Sequence, residues 1–204
     1  MYIARILYPV EVLGPGKRIG IWLCGCPHHC DGCSNPELWE FRVGCDISVD
    51  EVMRLIGGIA SENPVDGFTI TGGEPFYQSE DLSELITAIS PISDDILVYS
   101  GYTIDELNGV NVLSKIAVLI DGKYVANLNT DCLLRGSENQ KIHVLNSGFD
   151  ERYRKYLSTS TNKIQNFTSG NSVISVGIHK QGCGREIQHR VNQKGLEAES
   201  NVRK

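Results

Sequence analysis

The sequence predicts an α/β fold on an open, parallel sheet of roughly six strands, an incomplete (β/α) barrel with too few strands for eight units. Two observations lead there. Short apolar runs alternate with helical patterns, and the runs are apolar throughout, as in parallel strands covered on at least one face. The chemically capable residues follow the ends of those runs, the edge where parallel α/β folds bind ligands.

Ile3 to Val12 and Ile19 to Leu23 read as strands, parted by the turn signal Gly14-Pro15-Gly16. Ser48 and Glu51 form a capping box. Behind it Val49, Val52, Met53, Ile56, Ile59 and Ala60 repeat at helical spacing until Asn63-Pro64 stops the helix. Phe68 to Thr71 is a short strand running into Gly72-Gly73-Glu74-Pro75. Ser79 is placed to cap a second helix with Leu82, Leu85, Ile86 and Ile89 on one face. Ile96 to Tyr99 and Ile116 to Ile120 are strands, and a second capping box, Thr103 to Glu106, is expected to open a short helix between them. Lys141 to Leu145 and Val173 to Ile178 complete the strand candidates. Residues 146–171 are polar and unassigned, and from Gly182 onward the chain reads as a loose tail.

The chain has 204 residues, 41% hydrophobic and 22% charged, a balance suited to one globular domain. A net charge of -6 argues against a nucleic-acid partner. No apolar run approaches the roughly 20 residues that span a bilayer, and the N-terminus lacks a secretory pattern. Seven cysteines, five of them between Cys24 and Cys45, are too unevenly placed for a disulfide framework. A reducing, cytoplasmic setting without membrane contact is expected.

Cys26, Cys30 and Cys33 carry the strongest signal. Three thiolates at x3 and x2 spacing can hold three irons of a 4Fe-4S cluster and leave the fourth open for a substrate or cofactor. Cys30 and Cys33 could instead be half of a zinc site, but no second Cys-x2-Cys or His-x3–5-His completes it, and the tight loop would strain to present His28 and His29 with Cys30. Cys24 offers another thiolate and is read as packing. His28 and His29 are read as residues of the loop, or lying behind the iron ligands, rather than as ligands themselves, and Trp22 and Trp39 as core that also shields the cysteines. Gly72 and Gly73 let the main chain approach a ligand closely. The Glu74 carboxylate is suited to an ammonium.

The triad followed by Thr71-Gly-Gly-Glu-Pro75 resembles the radical S-adenosylmethionine (SAM) superfamily. More narrowly, the chain resembles the activating enzymes of anaerobic ribonucleotide reductase. The matching stretches are Gly25 to Trp39, Tyr99 to Thr103 with Glu106-Leu107, Leu119 to Gly122, and Arg135 to Gln140. The resemblance implies reductive cleavage of SAM at a three-cysteine 4Fe-4S cluster, then hydrogen abstraction from a glycine of the reductase. It implies SAM contacts at Gly72, Gly73, Glu74, Pro75, Ser100, Asp121, Lys123 and Arg135, with Tyr102 nearby. Asp121 would approach the ribose or a bound cation, and Lys123 the methionine carboxylate. Outside the resemblance, Asp121 reads as part of an Asp-Gly turn and an isolated Lys or Arg as solvated surface.

The partners implied are the reductase large subunit, or another glycyl radical protein, and a flavodoxin- or ferredoxin-type electron donor. Residues 1–182 would form the radical SAM domain and 183–204 the polar tail. A radical SAM enzyme acting on another glycyl radical enzyme, a peptide or a small molecule is the alternative. His179 could be a site residue or a satisfied loop histidine, and the second reading is preferred.

Overall fold

The computed structural model describes residues 1–42, 44–169 and 172–180. Cys183 and the expected 183–204 tail lie outside them. Six strands form one open sheet in chain order: β1 (Ile3–Val10), β2 (Arg18–Leu23), β3 (Gly67–Gly72), β4 (Ile96–Tyr99), β5 (Val118–Asp121) and β6 (Lys141–Val144). The strands β2 to β5 run parallel, while β1 and β6 pair antiparallel at the two edges. The expectation of six parallel strands is corrected at both edges. Only seven residues link β1 to β2, and a parallel crossover needs about a dozen or more. The sheet does not close.

Helices α1 (Val49–Glu62) and α2 (Ser79–Ile89) cover one face. Ser48 and Glu51 close the expected reciprocal cap on α1. Ser79 is the first residue of α2 rather than its cap, and Gln78 precedes it with no side-chain capping bond. Val52, Ile56, Leu82, Leu85, Ile86 and Ile89 meet Ile19, Ile21, Leu23, Phe68, Ile70 and Val98 in the main core.

The other face is covered as well. The helix α3 (Asp150–Thr159) lays Tyr153 on Leu97, Val118 and Ile120. The hairpin β7 (Gln165–Ser169) and β8 (Ser172–Val176) brings Val176 against Trp22 and Leu38. Burial on both faces explains the unbroken apolar runs of β2, β4 and β5. The expected helix after Thr103 does not form. Thr103 and Glu106 do exchange their capping hydrogen bonds, but the chain behind them makes only turns.

Opposite the strand ends that carry the site, a buried polar knot ties the sheet to α3. Arg18, fully buried at the start of β2, donates to Thr69 Oγ1 at 2.7 Å and to the Asp95 carbonyl at 2.8 Å. Its guanidinium lies 3.2 Å from Asp95 Oδ1. Tyr153 donates its hydroxyl to the same oxygen at 2.6 Å.

Candidate functional site

Register decides what meets at the carboxyl edge. Leu23 pairs with Gly72, Ile70 with Val98 and Tyr99 with Ile120. The cysteine loop after β2, the Gly-Gly-Glu-Pro turn after β3 and Ser100 after β4 therefore leave the sheet side by side. They surround one cavity, with Cys26, Cys30, Cys33, Gly72, Gly73, Glu74 and Ser100 all on its wall.

The cysteine loop is held at both ends. Gly25 donates to Leu38 and Cys26 to Trp39, at 2.9 and 2.8 Å. Within it, the Cys33 N–H donates to the Cys30 carbonyl at 3.1 Å across a turn in which Gly32 takes the left-handed backbone (φ 72°). Burial raises the thiol pKa of Cys26, and the backbone N–H groups of His28 and His29 oppose that shift. Burial likewise raises Cys33, against the Asn35 N–H. Asn35 N–H lies 3.4 Å from the Cys33 sulfur. The Trp39 Nε1 is buried and closes no hydrogen bond.

These donors suit sulfur that carries negative charge. Among the described residues, no three His, Cys, Asp or Glu side chains surround a single-ion position. A cubane cluster makes no such demand, since each thiolate takes its own iron. The residues present fit a 4Fe-4S cluster.

Gly72 and Gly73 are required by protein rather than by open space. A Cβ on Gly72, where φ is 106°, would sit 2.5 Å from Leu23 N. One on Gly73 would sit 2.3 Å from the Gly25 carbonyl oxygen. In return Gly73 donates to Leu23 and Glu74 to Gly25, both at 2.7 Å. These glycines press the turn against the cysteine loop.

Glu74, 1% exposed, is an organiser. Its Oε1 accepts from the Phe76 N–H at 3.0 Å and the Ser100 hydroxyl at 2.9 Å, and its Oε2 accepts from the Gly101 N–H at 2.6 Å. His28 Nε2 stands 3.2 Å from Oε2 without hydrogen-bond alignment. The His28 ring meets Tyr102 edge-on at 4.5 Å. One carboxylate thus joins the ends of β3 and β4 and faces the cysteine loop.

Pro75, Asp121, Lys123 and Arg135 are not among the residues lining the cavity. Asp121 Oδ2 accepts from the Ile104 N–H at 2.7 Å and lies 3.1 Å from His143 Nε2. Arg135 donates to the carbonyls of Glu138 and Gln140. The Lys123 carbonyl accepts from Asn139 at 2.8 Å.

Sequence reading missed much of the far wall. Tyr124, Gly136 and Gln140 line it, and so do Ser175 to His179 from the hairpin. Gln140 accepts from Gly136 N–H at 2.8 Å and donates to the Gly122 carbonyl at 2.8 Å, fixing that wall. His179 Nε2 is 3.1 Å from Ser175 Oγ, and burial lowers its pKa. Gln165 pins the hairpin to β1, accepting from Glu11 N–H at 3.0 Å and donating to the Pro9 carbonyl at 2.7 Å. In the sequence, Arg135 to Gln140 is marked only by the family resemblance, and within 175–179 only His179 is weighed as a site residue.

An open α/β sheet with three cysteines at one ligand edge defines an iron–sulfur type of protein. In agreement, residues 12–143 match the family model described as a 4Fe-4S single cluster domain. An anaerobic ribonucleoside-triphosphate reductase-activating protein of Enterobacteria phage T4 is 36% identical over 141 residues, which cover 67% of this chain and 90% of that protein. The one of Escherichia coli (strain K12) is 34% identical over 147 residues, 68% of this chain and 96% of its own length. That of Salmonella typhi is 32% identical over 148 residues, 68% and 96%. This chain belongs to the family of anaerobic ribonucleoside-triphosphate reductase-activating proteins. The hairpin wall lies beyond the matched 12–143 span.

Proposed function

We propose that this chain activates an anaerobic ribonucleotide reductase as a radical SAM enzyme. When bound, a 4Fe-4S cluster supplies one low-potential electron that splits SAM into methionine and a 5′-deoxyadenosyl radical, which takes a hydrogen atom from a glycine of the reductase. The observation that carries the reading is the convergence of Cys26, Cys30, Cys33, the Gly72-Gly73 main chain, Glu74 and Ser100 on one cavity.

Cys26, Cys30 and Cys33 would hold the cluster through their thiolates, and the iron without a cysteine would be the place for the amino acid end of SAM. The Gly72-Gly73 backbone and Ser100 offer polar contacts to that amino acid end. Glu74 acts first by fixing Ser100 and Gly101, and its Oε2, the oxygen facing His28, takes the SAM ammonium. We assign Pro75, Asp121, Lys123 and Arg135 to SAM binding through the wall they support. Asp121 holds the 100–104 turn through Ile104, and Arg135 holds Gln140.

The electron donor in this reading is a flavodoxin- or ferredoxin-type protein, and the setting is the cytoplasm. No helix among the described residues is long and apolar enough to cross a membrane. The incomplete-barrel reading suits the task, because an open sheet edge admits a protein loop carrying the target glycine. Cys30→Ala tests the reading. Anaerobically reconstituted variant is expected to lose both the four-iron stoichiometry and 5′-deoxyadenosine formation, and retention of full SAM cleavage would refute it.

A further inference from the structure

Strand pairing leaves the sheet open, but side chains bridge its two sides. At the β1 edge, Gln165 donates to the Pro9 carbonyl at 2.7 Å and accepts from the Glu11 N–H at 3.0 Å. On the other side, in the connection between β5 and β6, the Asp131 and Cys132 carbonyls accept from Asn162 at 2.8 and 3.0 Å. The chain from Asn162 to Gln165 spans at most about 10 Å, so the gap it crosses is narrow. The chain crosses again after β8. Val176, 3% exposed, packs with Leu13, Trp22 and Leu38. Asn129, in the β5–β6 connection, then donates to the His179 carbonyl at 2.9 Å, and Lys180 Nζ lies 2.8 Å from Asp131 Oδ2.

This bridge is a wall of the cavity, with Ser175 to His179 lining it beside the cysteines. The wall is built to exclude rather than to bind. Ser175 Oγ and His179 Nε2 stand 3.1 Å apart and satisfy each other, and Val176, Gly177 and Ile178 offer apolar side chains or none. The hairpin follows the 12–143 span that matches the 4Fe-4S family, so the wall is added to that core.

Resting on the radical SAM reading above, we propose that Gln165 and Asn129 are positioning residues that latch the hairpin wall over the cavity, and that the wall keeps small solutes from the 5′-deoxyadenosyl radical until a reductase glycine reaches it. A primary alkyl radical takes the hydrogen atom of a thiol it meets. That gives 5′-deoxyadenosine and a thiyl radical, and no glycyl radical forms. Closing a site prevents such side reactions.

Gln165→Glu combined with Asn129→Asp tests the latch. Each change keeps the side-chain shape and turns a donor facing a backbone carbonyl into an acceptor. Hydroxyl-radical footprinting of the cluster-free chain, read by mass spectrometry, reports the wall without any chemistry at the site. Trp22 is 4% exposed beneath Val176. Its oxidation is expected to rise about tenfold in the double variant, as the loss of one or two hydrogen bonds implies. Phe68 and Leu82, on the helix-covered face, are expected to stay protected. Equal Trp22 oxidation in both chains overturns the latch.

The reconstituted chains are then turned over once with SAM and reductase in 2H2O containing dithiothreitol, whose exchanged S–2H marks any radical it quenches. Wild type is expected to yield unlabelled 5′-deoxyadenosine. The double variant, at wild-type iron content, is expected to yield deuterated 5′-deoxyadenosine and fewer glycyl radicals per SAM cleaved. An exposed Trp22 with unlabelled product overturns the shield. Should the double variant fail to fold, wild type decides: a protected Trp22 with unlabelled product supports the wall, and heavy labelling overturns it. A wild-type chain that cleaves no SAM overturns the proposed function and the shield with it, whereas cleavage with heavy labelling overturns the shield alone.

Discussion

Gly73→Ala tests how the Gly-Gly-Glu-Pro turn and the cysteine loop depend on each other. The new Cβ would lie 2.3 Å from the Gly25 carbonyl oxygen, where ordinary contact begins near 3.4 Å. Interiors are close-packed, so the two segments must part by about 1 Å. Gly25 has little room to retreat. The Phe41 ring lies 2.4 Å from where its own Cβ would stand, and its N–H is committed to Leu38 at 2.9 Å.

Separation stretches the 2.7 Å bond from Glu74 N–H to the Gly25 carbonyl. That bond contributes about 0.5–1.5 kcal/mol, and the overpacking costs about 1–3 kcal/mol more. The expected total is about 1.5–4.5 kcal/mol, read as a lower urea midpoint. Iron bound per chain should fall with it, because Cys26 follows Gly25 directly. Gly58→Ala is the contrast. No atom lies within 4 Å of its Cβ position on α1, and the helix should gain about 0.5–1 kcal/mol. A Gly73→Ala chain with wild-type stability and full iron would refute the reasoning.

Arg18→Ala strips the buried knot at the far end of the sheet and leaves Asp95, 1% exposed, with Tyr153 and Arg152 as its remaining partners. A loss of about 3–5 kcal/mol is expected in chemical denaturation, and a loss under about 1 kcal/mol would mean the knot is not a stabilising element. Burial, reinforced by the neighbouring Cys45 thiol, raises the Cys24 pKa to about 11. A raised thiol pKa leaves little nucleophilic thiolate at neutral pH, about one part in a thousand at pH 8. Iodoacetamide mass mapping of the cluster-free chain should find Cys24 labelled far more slowly than the partly exposed Cys132. Its rate should climb about tenfold per pH unit toward pH 10, and equal rates at pH 7.5 would contradict this.

The elements legible in the sequence are those set by local chemistry. The capping box at Ser48 and the helical period behind it place α1, and the apolar runs place β2, β3 and β4. The parallel reading of β1 overlooked its seven-residue link to β2, which only an antiparallel pair can use. The pattern of α3 is faint because Tyr153 is its one buried residue. The Thr103 box satisfied its own hydrogen bonds without a helix behind it, so a cap signature alone does not guarantee propagation.

The site divides in the same way. The cysteines and Gly72 to Glu74 announce themselves by residue type and spacing, although the glycines turn out to accommodate Leu23 and Gly25. Tyr124 and Gln140 reach the cavity from the connection between β5 and β6, and Ser175 to His179 from the hairpin and the residues after it, and no local pattern encodes that assembly.

The central claim is radical transfer to a reductase glycine. Its most direct test mixes the anaerobically reconstituted chain with SAM, a one-electron reductant and the large subunit of an anaerobic ribonucleotide reductase, followed by electron paramagnetic resonance. The account predicts an organic glycyl radical signal on the reductase, formed together with 5′-deoxyadenosine and absent with Cys30→Ala. SAM cleavage with no glycyl radical on the reductase would contradict it.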